Sequence, residues 1–281
     1  GTVKNLTVKN FSSDGEIATT GVIAAYAAGN STFENISIVK KVVVPDTVTT
    51  IGLGAFKGCT GLKALSISQD NEFLELVVSS HGAEKQSLIA NNGLNYLRDV
   101  DQYWGRKAPL LFPIVGKLRD LKTFINNKEY SMNQHGFVRD QEFELYSQSE
   151  SELVLVNKFN EETLKKYPFE YQVFVKYTLV EKSVYTEFIV KNLDYQVIPF
   201  NYGGHPGFRL PLYENETFED YSVKFEKTEN FDAPTVNLEN GTLNFDKTIP
   251  YKNIDEIKLD YKYFEIDAIV IPEVKSQSVK L

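Results

Sequence analysis

Apolar and polar residues alternate along most of this chain, in short runs separated by polar turns. Glu142–Tyr146 and Glu152–Val156 read as alternating strands, and Tyr171–Val180 and Val184–Val190 as strands that flank Glu181-Lys-Ser183. A period of two places apolar side chains on one face of a pleated strand. Two such runs joined by a three-residue polar loop predict a β-hairpin. Further strands are predicted over 72–78, 221–225 and 266–271, with a hairpin at Asn240-Gly241 and a last strand beginning at Ser278. Helical period is scarce: Asn160–Tyr167 holds one or two turns, stopped near Pro168. Long alternating strands with short polar connections predict a mainly β chain, an antiparallel β-sandwich of sheets packed face to face.

The first residues have a different texture. Gly1–Val8 matches Ser31–Ile38 at an offset of 30 residues, and both copies alternate. A repeat of this length predicts stacked β units, and the stretch resembles GLUG-type repeats. Residues 39–68 put strand-like Val42-Val-Val44 before a Pro45-Asp46 turn and a second strand at Leu62–Ile67. They resemble one unit of a BspA-type leucine-rich repeat, in which Cys59 is a small buried residue. The predicted organisation is therefore 1–38 GLUG-like, 39–68 a single leucine-rich repeat unit, and 69–281 the β-sandwich.

Composition narrows the function. The chain has 281 residues, 42% hydrophobic, with a net charge of -8. An acidic surface argues against nucleic acid, which needs clustered positive charge. One cysteine excludes an internal disulfide and a cysteine-based zinc site. No apolar run is long enough for a membrane span, and no signal peptide is visible. Gly52-Leu-Gly54 with Gly58 has the wrong spacing for a dinucleotide loop. No Gly-x-Ser-x-Gly elbow and no local histidine pair is present.

Two of the three histidines sit beside glycine and an aromatic residue: Gln134-His135-Gly136-Phe137 and Gly203-Gly204-His205-Pro206-Gly207-Phe208. Glycine admits a ligand close to the backbone, and imidazole exchanges protons near neutral pH. Turn or packing roles remain open for both. His81 lacks the aromatic wrapping and reads as structural or exposed. Trp104, the only tryptophan, serves either to stack on the flat face of a ligand or to anchor the core.

Three ordered motifs, Ala108–Gly116 (APLLFPIVG), Gln134–Asp140 (QHGFVRD) and Asn201–Phe208 (NYGGHPGF), resemble aldose 1-epimerases of the galactose-mutarotase-related, LacX-like branch, over roughly 71–281. The resemblance implies a mutarotase-like supersandwich and interconversion of the α and β anomers of a hexose, phosphorylated or not, by acid–base catalysis without metal or organic cofactor. It implies His205 as the acid at the ring oxygen and His135 as a catalytic hydrogen-bonding partner. It also implies substrate contacts at Lys117, Asp267, Trp104 and Arg139. Lys117 stands where the family carries arginine, and loses the planar fork. The family's glutamate base lies in a Glu-Pro-Trp-like motif that these residues do not contain; Glu273, in Ile-Pro-Glu-Val, has different surroundings. The chain is thus expected to be truncated, with an acid and no base. The alternatives to an epimerase are a non-catalytic carbohydrate-binding domain and a fragment of a surface adhesion protein. The epimerase region implies a cytoplasmic protein, and natural N-terminal repeats would imply a cell-surface one.

Overall fold

A computed structural model of the protein describes residues 73–281 in full and, before them, the backbone of five short strands. These are β1 (Thr2–Lys4), β2 (Val22–Ala24), β3 (Thr32–Glu34), β4 (Lys41–Val43) and β5 (Ala64–Ser68). There follow β6 (Leu74–Ser79), β7 (Lys85–Ala90), β8 (Leu110–Leu111), β9 (Lys122–Ile125), β10 (Lys128–Ser131), β11 (Glu144–Gln148) and β12 (Glu152–Lys158). After helix α1 (Glu161–Leu164) come β13 (Tyr171–Val180), β14 (Ser183–Asn192), β15 (Gly203–Gly204), β16 (Ser222–Val236), β17 (Leu243–Lys258) and β18 (Val279–Lys280). Two compact units result, one of residues 1–113 and 136–208, the other of 114–135 and 209–281.

In the first unit, β1 pairs in parallel with β3, Thr2 opposite Thr32, the same offset as the sequence match. The rest of the GLUG-like and leucine-rich-repeat readings, Cys59 included, lies outside the described residues. β2, β4 and β5 pair in parallel, and β5, β6 and β7 antiparallel, in one five-stranded sheet. β11 to β14 form an antiparallel meander in sequence order. The β13–β14 connection is shorter than expected, because Val180 pairs with Ser183 and only Glu181-Lys182 turn. Glu181 takes φ 49°, the left-handed twist that a two-residue hairpin requires. Asn160 caps α1, accepting from the N–H groups of Glu162 and Thr163.

Alternation in β13 buries Tyr171, Val173, Val175, Tyr177 and Leu179 on one face, while Phe174 joins Val154 and Val156 on the other. The Phe112 ring is fully buried and meets Tyr167, Tyr171, Phe188 and Phe200, with centroids 5.2–6.0 Å apart. Burial pushes the Tyr171 phenol up to about 12. Burial likewise keeps the Tyr177 phenol protonated, and it donates to the Ala83 carbonyl at 2.7 Å.

In the second unit, β9 and β10 form a hairpin around Asn126-Asn127, both at positive φ. β16 and β17 form a long bulged hairpin turning over Asn237–Gly241, and β18 adds to β16. Phe225, Phe231, Ala233 and Ile257 make its core. Residues 266–271 are not the strand their alternation predicts. A 3₁₀ helix, Tyr261–Ile266, occupies the start, and Asp267 at φ 71° turns the chain out of the extended region. Glu229, 1% exposed, accepts from the Ser276 hydroxyl at 2.6 Å, from the Ser276 N–H at 2.7 Å and from the Lys275 N–H. It thereby fastens 275–276 to β16. Among the described residues, no helix is long and apolar enough to cross a membrane.

Phe112→Ala removes the ring that four aromatic neighbours share; equilibrium denaturation should show a loss of about 3–5 kcal/mol. The Ser276 hydroxyl, the first cause, holds the Glu229 carboxyl below its ordinary range. That contribution is complete above the unfolded glutamate pKa and disappears as pH falls through the lower folded value. Glu229→Gln should therefore destabilise the chain at neutral pH and flatten the acid limb of its stability curve, measured by thermal melts between neutral and acid pH.

Candidate active site

The described part of the first unit builds its site on the backbone of residues 107–113. β8 pairs with β15, Gly203 opposite Leu111 and Gly204 opposite Leu110. The ladder continues outward, with His205 N–H donating to Pro109 O at 3.0 Å and Gly207 N–H to Lys107 O at 2.7 Å. His205 therefore leaves the end of a short strand, exposed, with its ring centroid 4.9 Å from that of Trp104. The Arg98 guanidinium lies over the same indole at 5.1 Å and donates to the Trp104 carbonyl at 2.9 Å. Trp104 is only half-buried, so its anchoring role leaves it open to a ligand as well.

Beside it lies a cavity of about 640 Å³, lined by His81, Glu84, Trp104, Arg106, Lys107 and Arg139 among others. A tight turn carries His81 there. Gly82 sits at φ +68°, where a Cβ would come 2.6 Å from the Arg139 carbonyl oxygen. Its N–H donates to Gln141 O at 2.8 Å, and Phe143 N–H donates to Ser80 O at 2.9 Å. His81 was read as structural or exposed. It is half exposed, and its Nδ1 meets Glu142 Oε1 at 2.9 Å while Ser80 Oγ donates to Oε2 at 3.0 Å. Glu84, 6% exposed, accepts from the N–H groups of Lys107 at 2.6 Å and Ala108 at 2.9 Å. Arg106 pairs with Asp140 and donates to the Arg139 carbonyl at 3.2 Å. Burial first, and the neighbouring Arg106 charge second, lower the Arg139 pKa; arginine nevertheless stays cationic. The cavity thus carries one aromatic face, Trp104, and the guanidinium groups of Arg106 and Arg139. Arg106 and Glu84 went unnoticed in sequence because neither stands in a distinctive context.

In the second unit His135 holds φ 65°. Its N–H donates to Gly116 O at 2.7 Å, and the Gly116 N–H donates to its Nδ1 at 3.0 Å. Accepting at Nδ1 places the proton of the neutral ring on Nε2, so the outer nitrogen of His135 is a donor. Lys117 follows directly, its side chain packed over the Gly241 turn. Asp267 is exposed at the end of the 3₁₀ helix, and Glu273 is exposed on an irregular segment. The structure thus groups Trp104, Arg139 and His205 in the first unit and His135 with Lys117 in the second.

Gly136, at φ +73°, fits only without a side chain, since a Cβ would strike the Phe112 carbonyl and lie 2.7 Å from Pro113 N. Gly136→Ala should cost more than about 1 kcal/mol, read from thermal melts.

The sequence profile of the family described as Aldose 1-epimerase matches residues 64–281, starting before the boundary expected at 69. Protein LacX encoded on a plasmid of Lactococcus lactis subsp. lactis is 36% identical over 225 residues, spanning 77% of this chain and 75% of that protein. The crystal structure of a galactose mutarotase related enzyme from Lactobacillus acidophilus superposes with a TM-score of 0.69 at 30% identity, over 73% of this chain and 67% of that one. A galactose mutarotase-like protein from Lactobacillus casei gives 0.62 at 31% identity, over 71% and 68%. The predicted mutarotase-like β-sandwich class is therefore the observed one, and none of these matches supports a leucine-rich repeat. By profile, sequence relatives and fold, this chain belongs to the aldose 1-epimerase family.

Proposed function

We propose that the chain interconverts the α and β anomers of a hexose by acid–base catalysis. The observation that carries this reading is His205, set at a strand end against Trp104. There an imidazole can reach the ring oxygen of a sugar stacked on the indole. Mutarotation needs a proton removed from the anomeric hydroxyl and one delivered to the ring oxygen as the C1–O5 bond breaks. His205 supplies the second. His135 offers an Nε2 donor to a sugar oxygen near the reacting carbon, and Lys117, Asp267, Trp104 and Arg139 hold the substrate. The family relationship supports this assignment and a cytoplasmic setting. Residues 1–68 carry none of the three motifs and are proposed to be dispensable for the sugar site. The alternative is carbohydrate binding without turnover.

Polarimetry of α-glucose and α-galactose separates the two. Acceleration that His205→Asn reduces by about 10²–10⁴-fold, with His135→Asn mainly raising KM, is the expected result. Calorimetric binding without acceleration selects the alternative. A crystal structure with an aldose should show His205 within hydrogen-bond reach of a ligand stacked on Trp104.

A further inference from the structure

The chain has a net charge of -8, yet three cations, Arg106, Lys107 and Arg139, line the cavity beside Trp104 against one carboxylate, Glu84. Glu84 is buried and turned into the backbone. Its Oε1 accepts from the N–H groups of Lys107 and Ala108, and its Oε2 stays 3.9 Å from Arg106. Asp140, which is not part of the lining, pairs with Arg106 and stands 4.0 Å from Arg139. Lys107 Nζ donates to Gln86 O at 3.0 Å and lies 3.7 Å from the exposed Asp99.

Positive charge is therefore only partly offset here. Asp140 and the Arg139 carbonyl each take a donor from Arg106, and a guanidinium fork has N–H groups left for a further anion. The two arginines also repel each other: after burial, the Arg106 charge is the next cause lowering the Arg139 pKa. An anion set between them relieves that repulsion. Their side chains are only 25% and 19% exposed, so water screens the attraction less than it would at an open surface.

Trp104 joins this cavity to His205. The indole is part of the cavity lining, and its centroid is 4.9 Å from that of the His205 ring. A sugar stacked on Trp104 with its reacting end at His205 can direct a substituent among the cations. The cavity, about 640 Å³, has room for such a group. A neutral hydroxyl would use little of the charge gathered there. A phosphomonoester brings about -1.5 to -2 charges at neutral pH and three strong acceptor oxygens, the geometry that arginine grips in bidentate fashion.

We propose that Arg106, Lys107 and Arg139 form an anion subsite, and that the sugar taken at Trp104 and His205 is a hexose phosphate whose phosphate sits in this cavity. This rests on the sugar placement in the epimerase reading above.

The test is calorimetry on the full chain with glucose, galactose, their 6-phosphates and inorganic phosphate, beside polarimetry of the same sugars. The 6-phosphates should bind about 10–100-fold more tightly than the parent hexoses, and the advantage should shrink as salt is added. Arg106→Gln should remove most of that advantage and leave the affinity for the neutral hexose unchanged. Lys107→Gln should remove part of it, and decides the matter if thermal melts show that Arg106→Gln does not fold. Equal affinity for a hexose and its 6-phosphate overturns the proposal. So does an advantage that the folded variants keep in full. Inorganic phosphate that binds as tightly as the hexose phosphates marks a site for the free anion and overturns it too. Acceleration of neutral sugars without any preference for phosphate leaves the epimerase reading standing and removes the subsite. Preferential, Arg106-dependent binding of the 6-phosphates without acceleration of any sugar does the reverse.

Discussion

The first unit depends on one constraint: the backbone polar groups of residues 107–113 must be satisfied although Ala108–Pro113 is buried. A buried carbonyl without a donor costs on the order of 1–3 kcal/mol, and the chain meets the demand by bringing two distant segments to this strand. Phe137 and Val138 N–H both donate to Phe112 O, and Asn201 N–H donates to Pro113 O. His205 and Gly207 N–H donate to Pro109 O and Lys107 O. On the other edge the Glu84 carboxylate takes the N–H groups of Lys107 and Ala108. Segments far apart in sequence are thus united by one stretch of backbone, and the Phe112 ring packs among aromatic side chains from three further parts of the chain.

That geometry explains why chemistry gathers where it does. A short ladder ends at His205, so its imidazole projects from rigid backbone. The irregular chain before β8 carries Trp104 and Arg106, which line the neighbouring cavity. Two turns at positive φ, Gly82 and Gly136, allow other backbone to approach too closely for any side chain. Each carries a histidine immediately before it.

The histidines illustrate how a partner sets a role. His135 accepts a backbone N–H at Nδ1, whereas His81 faces a carboxylate there. Residue type and neighbouring sequence are insufficient to tell these apart. The tautomer follows from which group lies opposite one ring nitrogen, and in each case that group is many residues away.

By itself the sequence determined the β class, most strand positions and the family. Alternation at period two records which face of a strand is buried, and three spaced motifs record the backbone geometry that glycine and proline permit. It went astray where local pattern and backbone conformation parted, as at Ile266–Ile271. There Asp267 at φ 71° follows a 3₁₀ helix, and alternation contains no sign of that turn. It also overlooked Glu229, whose partners at 275–276 lie beyond a long hairpin. Only the tertiary structure decided these, because hydrogen bonding and burial between residues remote in sequence leave no periodicity behind.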